Sequence, residues 1–226
     1  MSGAQDTGMA RGGPVIAVDG PAAAGKGTLA RRLAEALGLP YLDTGLLYRA
    51  VGRLALDAGR DPADPAQDIA QTLSPDALRR PDLRATEVAE AASKVAAQPL
   101  VRAALVETQR RFARESGAVL DGRDIGTVIF PDADLKLFIT ASPATRALRR
   151  FLQMGGDTTA PEAAQKLQEM EEALRARDAA DAGRETAPLC IASDACVIET
   201  DTLDAASVLA EALRLARARL AGTAAV

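Results

Sequence analysis

The stretch Val15-Ile16-Ala17-Val18-Asp19-Gly20-Pro21-Ala22-Ala23-Ala24-Gly25-Lys26-Gly27-Thr28 decides the fold. Its first four residues form a continuous apolar run, the pattern of a short strand buried on both faces. From Lys26 onward the period changes. Leu29, Leu33 and Leu37 recur at a spacing of four, and Gly38 and Pro40 stop the run, which predicts a helix over 26–37. A glycine-rich turn between a buried strand and a helix start is the setting of a phosphate-binding loop. Such a turn aims successive backbone N–H groups at a polyanion, and the helix N-terminus adds partial positive charge. Gly20, Pro21, Ala22, Ala23, Ala24, Gly25, Lys26, Gly27 and Thr28 are the expected cradle for the phosphates of ATP. Lys26 would reach the terminal phosphates and Thr28 would offer its hydroxyl to Mg²⁺.

Working outward, Tyr41–Asp43, Ala118–Asp121, Leu135–Thr140 and Ala195–Thr200 supply four more strand-length apolar runs. Helical patterns lie over 44–58, after Ser142-Pro143 (an N-cap followed by proline at the first helical position), and over 203–220. This alternation predicts an α/β fold, a five-stranded parallel sheet with helices on both faces. Residues 59–117 contain no convincing strand, and 150–188 are helical, charged and interrupted by glycine. The expected organisation is one domain over 1–226, with a tail at 1–13 and a core at 14–58, 101–149 and 189–221. An insert at 59–100 would cover the acceptor, and 150–188 would act as a helical lid with hinges at Gly155-Gly156 and Gly183.

Composition narrows the chemistry. The 226 residues carry a net charge of −4, which argues against a nucleic-acid or anionic-membrane partner. No apolar stretch approaches the roughly 20 residues that span a bilayer, and residues 1–13 lack the apolar centre of a signal peptide. The chain has no His, Asn or Trp. That excludes a Ser-His-Asp triad and a His-bearing zinc site, and also the Asn-Lys-x-Asp element with which GTPases read guanine. Cys190 and Cys196 are expected to be reduced and mostly buried, as in a cytoplasmic protein. Gly27 stands where phosphate loops usually place Ser or Thr directly after the lysine. It suggests close packing against the helix start, as in small kinases acting on nucleoside monophosphates.

A kinase of that kind must hold a second anion beside the γ-phosphate, and arginine forks suit the task. Candidates follow the predicted strands: Thr44, Tyr48 and Arg49 after the second, Arg123 and Asp124 after the third, and Arg177, Asp181 and Arg184 in the lid. Each also has a plainer reading, as helix-surface residues, a loop ion pair and a solvated charged face. Asp121, an acid ending an apolar strand, fits either a loop cap or a Walker-B-like holder of Mg²⁺ and its waters.

In order along the chain, VDGPAAAGKGT, LDTGLLYR, ATEVAEAASKVAAQPLVR, LDGRDIGTVIFPDADLKLFI and RDAADAGRETAPL resemble the bacterial cytidylate kinases, over roughly residues 14–220. The segment DGRDIGTVIFPDA is the most distinctive, because other small phosphate-loop kinases do not carry it. The resemblance implies phosphorylation of CMP and dCMP by ATP in a monomeric cytoplasmic enzyme. The other candidate is a small kinase for UMP, AMP or a non-nucleotide acceptor. By the same resemblance Ser93, Arg102 and Asp124 face the base, Arg177 and Asp181 reach the sugar, and Arg49, Arg123 and Arg184 grip the α-phosphate, with Thr44 and Tyr48 completing the set. Lys26, Arg123, Arg177 and Arg184 are then the groups that neutralise charge during transfer. Between Asp68 and Thr86 the chain is short for the β-rich insert of many members, which leaves the insert's fold open.

Overall fold

The structure, a computed structural model, describes residues 12–223. Most of the expected tail, residues 1–11, lies outside them. The element order is β1 (Val15–Asp19), α1 (Lys26–Leu37), β2 (Tyr41–Asp43), α2 (Thr44–Asp57), α3 (Gln67–Gln71), α4 (Thr86–Ala96), α5 (Pro99–Arg114), β3 (Ala118–Asp121), β4 (Leu135–Thr140), α6 (Pro143–Gln153), α7 (Ala163–Ala182), β5 (Cys196–Glu199) and α8 (Ala205–Thr223). The strands form one parallel sheet in the order β2-β3-β1-β4-β5.

Successive strand side chains point to opposite faces. Ile16, Val18, Val119, Leu137 and Ile139 therefore pack against Leu29 and Leu33 of α1 and against α8. Val15, Ala17, Ala118 and Leu120 face the other way, onto Ala113 of α5 and onto Ile125 and Ile129. Both faces are covered, which is why the strands read as unbroken apolar runs. Contact with α8 is made by the small residues Val208, Ala212 and Ala216, with Leu209 and Leu213 at its margin. The two leucines are only partly buried, while Ala212 and Ala216 are completely covered.

The region between α2 and β3 contains no strand among the described residues. It folds as α3, two short 3-10 turns at Pro75–Arg79 and Pro81–Arg84, then α4 and α5. Leu47, Val51, Val95, Val101 and Leu105 give this region its own apolar core. One expectation is corrected: Cys190 is exposed and Cys196 only partly covered. Cys190 lies in an irregular segment before the short edge strand β5, so neighbouring Pro188 and Leu189 do not enclose it.

Candidate active site

The phosphate loop crosses the carboxyl end of β1. Gly25 caps α1 in the left-handed region at φ 90°, with no side chain bonded to the first turn, so those N–H groups remain open to an anion. Lys26 folds back over the loop, and its Nζ donates to the Pro21 carbonyl at 2.9 Å. Burial, then the Arg123 guanidinium, pushes this ammonium down to about 7, while Asp121, Asp19 and Asp181 pull the other way. At Gly27 a Cβ would stand 3.0 Å from Asp121 Oδ2. The close neighbour anticipated at this glycine is therefore the carboxylate ending β3.

Thr44 begins α2 and donates its hydroxyl to the Asp121 carbonyl at 2.7 Å, locking the start of α2 onto β3. Past β3, Arg102 and Asp124 form a buried ion pair, with the Arg102 guanidinium 5.5 Å from the Tyr48 ring centroid. Asp181, only 1% exposed, bridges two arginines: Arg123 Nε donates to it at 2.8 Å and Arg184 Nη2 donates to its other oxygen. Burial would raise its pKa, but those two guanidiniums hold it below the ordinary aspartate value. These contacts rule out the reading of this lid segment as a solvated charged face. Arg49 donates to the Leu83 carbonyl at 2.9 Å. Arg177 is different: its Nε–H is buried without an acceptor, and burial, then Arg123, pushes its pKa down to about 10.

All these side chains line one cavity at the carboxyl end of the sheet. It holds every acceptor residue named from sequence: Thr44, Tyr48, Arg49, Ser93, Arg102, Arg123, Asp124, Arg177, Asp181 and Arg184, together with Lys26 and Asp121. Seven arginines and Lys26 face four aspartates there, an excess of positive charge suited to polyanions. Ala22 and Ala23 line the same space, whereas Ala24, Gly25 and Thr28 open onto a second cavity with Arg32, Arg149, Thr200 and Asp204. Gly20, Pro21 and Gly27 line neither.

The family model for cytidylate kinase matches residues 16–218. The chain belongs to the cytidylate kinase family. Its cytidylate kinase relatives include one from Granulibacter bethesdensis, 57% identical over 90% of this chain and 96% of that protein. Another, from Acidiphilium cryptum, is 58% identical over 84% and 89%. A gluconokinase structure from Sinorhizobium meliloti is similar at 20% identity over 93% of this chain and 95% of that one, with a TM-score of 0.46, too low to support an inference.

In this cytidylate kinase family member three charged cavity residues escaped the sequence reading: Asp43, Arg84 and Arg150. Asp43 was visible only as a strand end. Arg84 lies on a 3-10 turn without periodic pattern, and Arg150 was one of several arginines on α6. The second cavity was missed altogether, because it is assembled from α1, α6 and the β5–α8 turn, which are far apart in sequence. There Arg149 donates to the Thr200 hydroxyl at 2.8 Å and to its carbonyl.

Hard oxygen donors suit Mg²⁺, which keeps most of its shell in phosphate and water. Thr28 and Asp121 are such donors but open onto different cavities, on either side of the phosphate loop. Burial, then Asp43, raises Asp121 to about 6. A divalent cation would relieve that crowding of carboxylates, so Asp121 and Asp43 fit the metal chemistry better than Thr28 alone.

Proposed function

We propose that this cytidylate kinase family member transfers the γ-phosphoryl group of ATP to the phosphate of CMP or dCMP, giving CDP or dCDP and ADP. An acceptor phosphate oxygen attacks the γ-phosphorus in line, and the bond to the β-phosphate oxygen breaks. The nucleophile is already largely ionised, so catalysis reduces to positioning and charge neutralisation. The observation that carries this reading is the buried Arg177 Nε–H without a partner, in a cavity where three other arginines are already tied to carboxylates. A buried donor left unpaired is costly, and an oxygen of a bound acceptor nucleotide would satisfy it.

In this reading the ATP phosphates lie on the loop from Gly20 to Thr28, with Lys26 between donor and acceptor. The adenine enters the second cavity beside Arg149 and Thr200. Asp121, Asp43 and Thr28 would hold Mg²⁺ with its waters, and the ion would neutralise charge on the ATP phosphates. Asp124 accepts from the cytosine amine, while Arg102 and Ser93 donate to the ring acceptors, a pairing that uracil would reverse. Arg177 and Asp181 reach the sugar, and Arg49, Arg123 and Arg184 hold the α-phosphate. Residues 59–100 close over the monophosphate and 150–188 close as a lid that excludes water. We place the enzyme in the cytoplasm as a monomer, and no helix of the described residues is long and apolar enough to cross a membrane.

The deciding experiment offers ATP and Mg²⁺ with CMP, dCMP, UMP, AMP and shikimate in a coupled ADP-release assay. Turnover with CMP and dCMP, well above the others, is expected. Preference for another acceptor would overturn the assignment.

A further inference from the structure

Asp19 ends β1, one residue before the phosphate loop, and is almost completely buried. Among the described residues it forms no ion pair with a lysine or arginine. Its two carboxylate oxygens are instead spent on two backbone amides from a distant part of the chain: Ile125 N–H at 2.9 Å and Gly126 N–H at 2.7 Å. These amides open the single π-helical turn Ile125–Ile129 that directly follows Arg123 and Asp124. The turn is held from the other side too. A Cβ on Gly126 would stand 3.0 Å from Lys136 Cδ and 3.4 Å from Asp19 Oδ2.

A buried carboxylate at the end of a core strand is expensive, and an apolar residue would serve the sheet better. Burial accordingly lifts Asp19 to about 6, with the two amides working against the rise. What the carboxylate supplies is a fixed distance between two loops. One carries Lys26, and the other carries Arg123, bound to Asp181, and Asp124, bound to Arg102.

We propose that Asp19 is a positioning residue for phosphoryl transfer, whose carboxylate sets the Arg123–Asp124 loop in register with the phosphate loop and so aligns acceptor with donor. The proposal rests on the kinase reading above. Asp19 itself touches neither substrate; it acts through the amides of 125 and 126.

Two variants test it. Asp19→Asn keeps the shape but turns an NH₂ group against one of the amides. Gly126→Ala disturbs the same seat from the opposite side without changing charge. For both, kcat/KM for CMP is expected to fall roughly 10²-fold, the scale of an ångström-level misplacement, while the KM for ATP stays within about twofold of wild type. A merely structural role would weaken both substrates together or lower thermal stability alone. Equal losses for ATP and CMP, or wild-type kinetics in either folded variant, would overturn the proposal. Should Asp19→Asn fail to fold, Gly126→Ala decides the matter alone. Wild-type turnover of CMP is measured first. If it is absent the kinase reading fails, and equilibrium titration with CMP and a non-hydrolysable ATP analogue then decides the positioning role by the same selective loss.

Discussion

Asp178 on the lid helix α7 receives both terminal nitrogens of Arg146, Nη1 at 3.2 Å and Nη2 at 2.5 Å. Arg146 is 2% exposed and also donates to the Ala141 carbonyl at 2.9 Å and to the phosphate-loop carbonyl of Ala22 at 3.1 Å. Ala22, Ala147 and Leu174 close the apolar side of the same junction. One guanidinium thus joins the lid, α6 and the phosphate loop. Asp178→Ala leaves that guanidinium buried without its carboxylate, which should cost roughly 2 kcal/mol in urea unfolding. In a double-mutant cycle with Arg146→Ala the two losses should fall short of additivity by more than about 1 kcal/mol. Additive losses would mean that the two side chains do not act as a unit.

Arg123 reaches from the end of β3 to Asp181 on the lid. Arg123→Ala should lower kcat/KM for CMP by roughly 10²-fold or more, with ATP affinity retained. Steady-state kinetics paired with ATP titration check this, and an unchanged CMP parameter would remove Arg123 from the acceptor site.

Asp124 is the acid placed to read the base. Asp124→Asn should lower the preference for CMP over UMP by about 10- to 100-fold, corresponding to the ~1–3 kcal/mol that one well-placed base contact contributes. An unaltered ratio, measured from kcat/KM with each acceptor, would show that discrimination lies elsewhere.

The depressed Lys26 gives ATP binding a pH signature. In the free protein the ammonium titrates near 7, and a bound polyphosphate raises its pKa again. Binding above pH 7 therefore takes up protons, approaching one per ATP, and affinity falls as pH rises through and beyond that value. Asp121, near 6, has the opposite sense: a bound cation favours its ionised form, so protons are released below pH 6. Calorimetry in two buffers of different ionisation enthalpy measures both signs. No uptake at pH 8 would contradict the position given to Lys26.

The strands and the phosphate loop were legible because a sheet covered on both faces needs unbroken apolar runs, and because a glycine-rich turn before a lysine has few other uses. The arginines after β2 and β3 could be found by asking which loops a parallel sheet brings to its carboxyl end. Between Asp57 and Ala118 the helical spacing of Val101, Leu105 and Phe112 announced α5, whereas the stretch before it was legible only as lacking strands, since short helices and 3-10 turns leave little periodicity. Asp19 and Arg146 were not legible as junctions. Their partners, Gly126 and Asp178, are set by topology, and sequence spacing carries no trace of such contacts. Cys190 was misjudged because apolar neighbours in an irregular segment need not fold over it.

Direct transfer between two adjoining sites is tested by supplying γ-³²P-labelled ATP with CMP and Mg²⁺ and following the label. One labelled CDP per ATP consumed is expected, with no free phosphate at short times, and Lys26→Met should abolish the signal. Label released as inorganic phosphate, or ATP left intact in the presence of CMP, would contradict a cleft in which main-chain amides and Lys26 hold the donor while the arginines around Asp181 hold the acceptor.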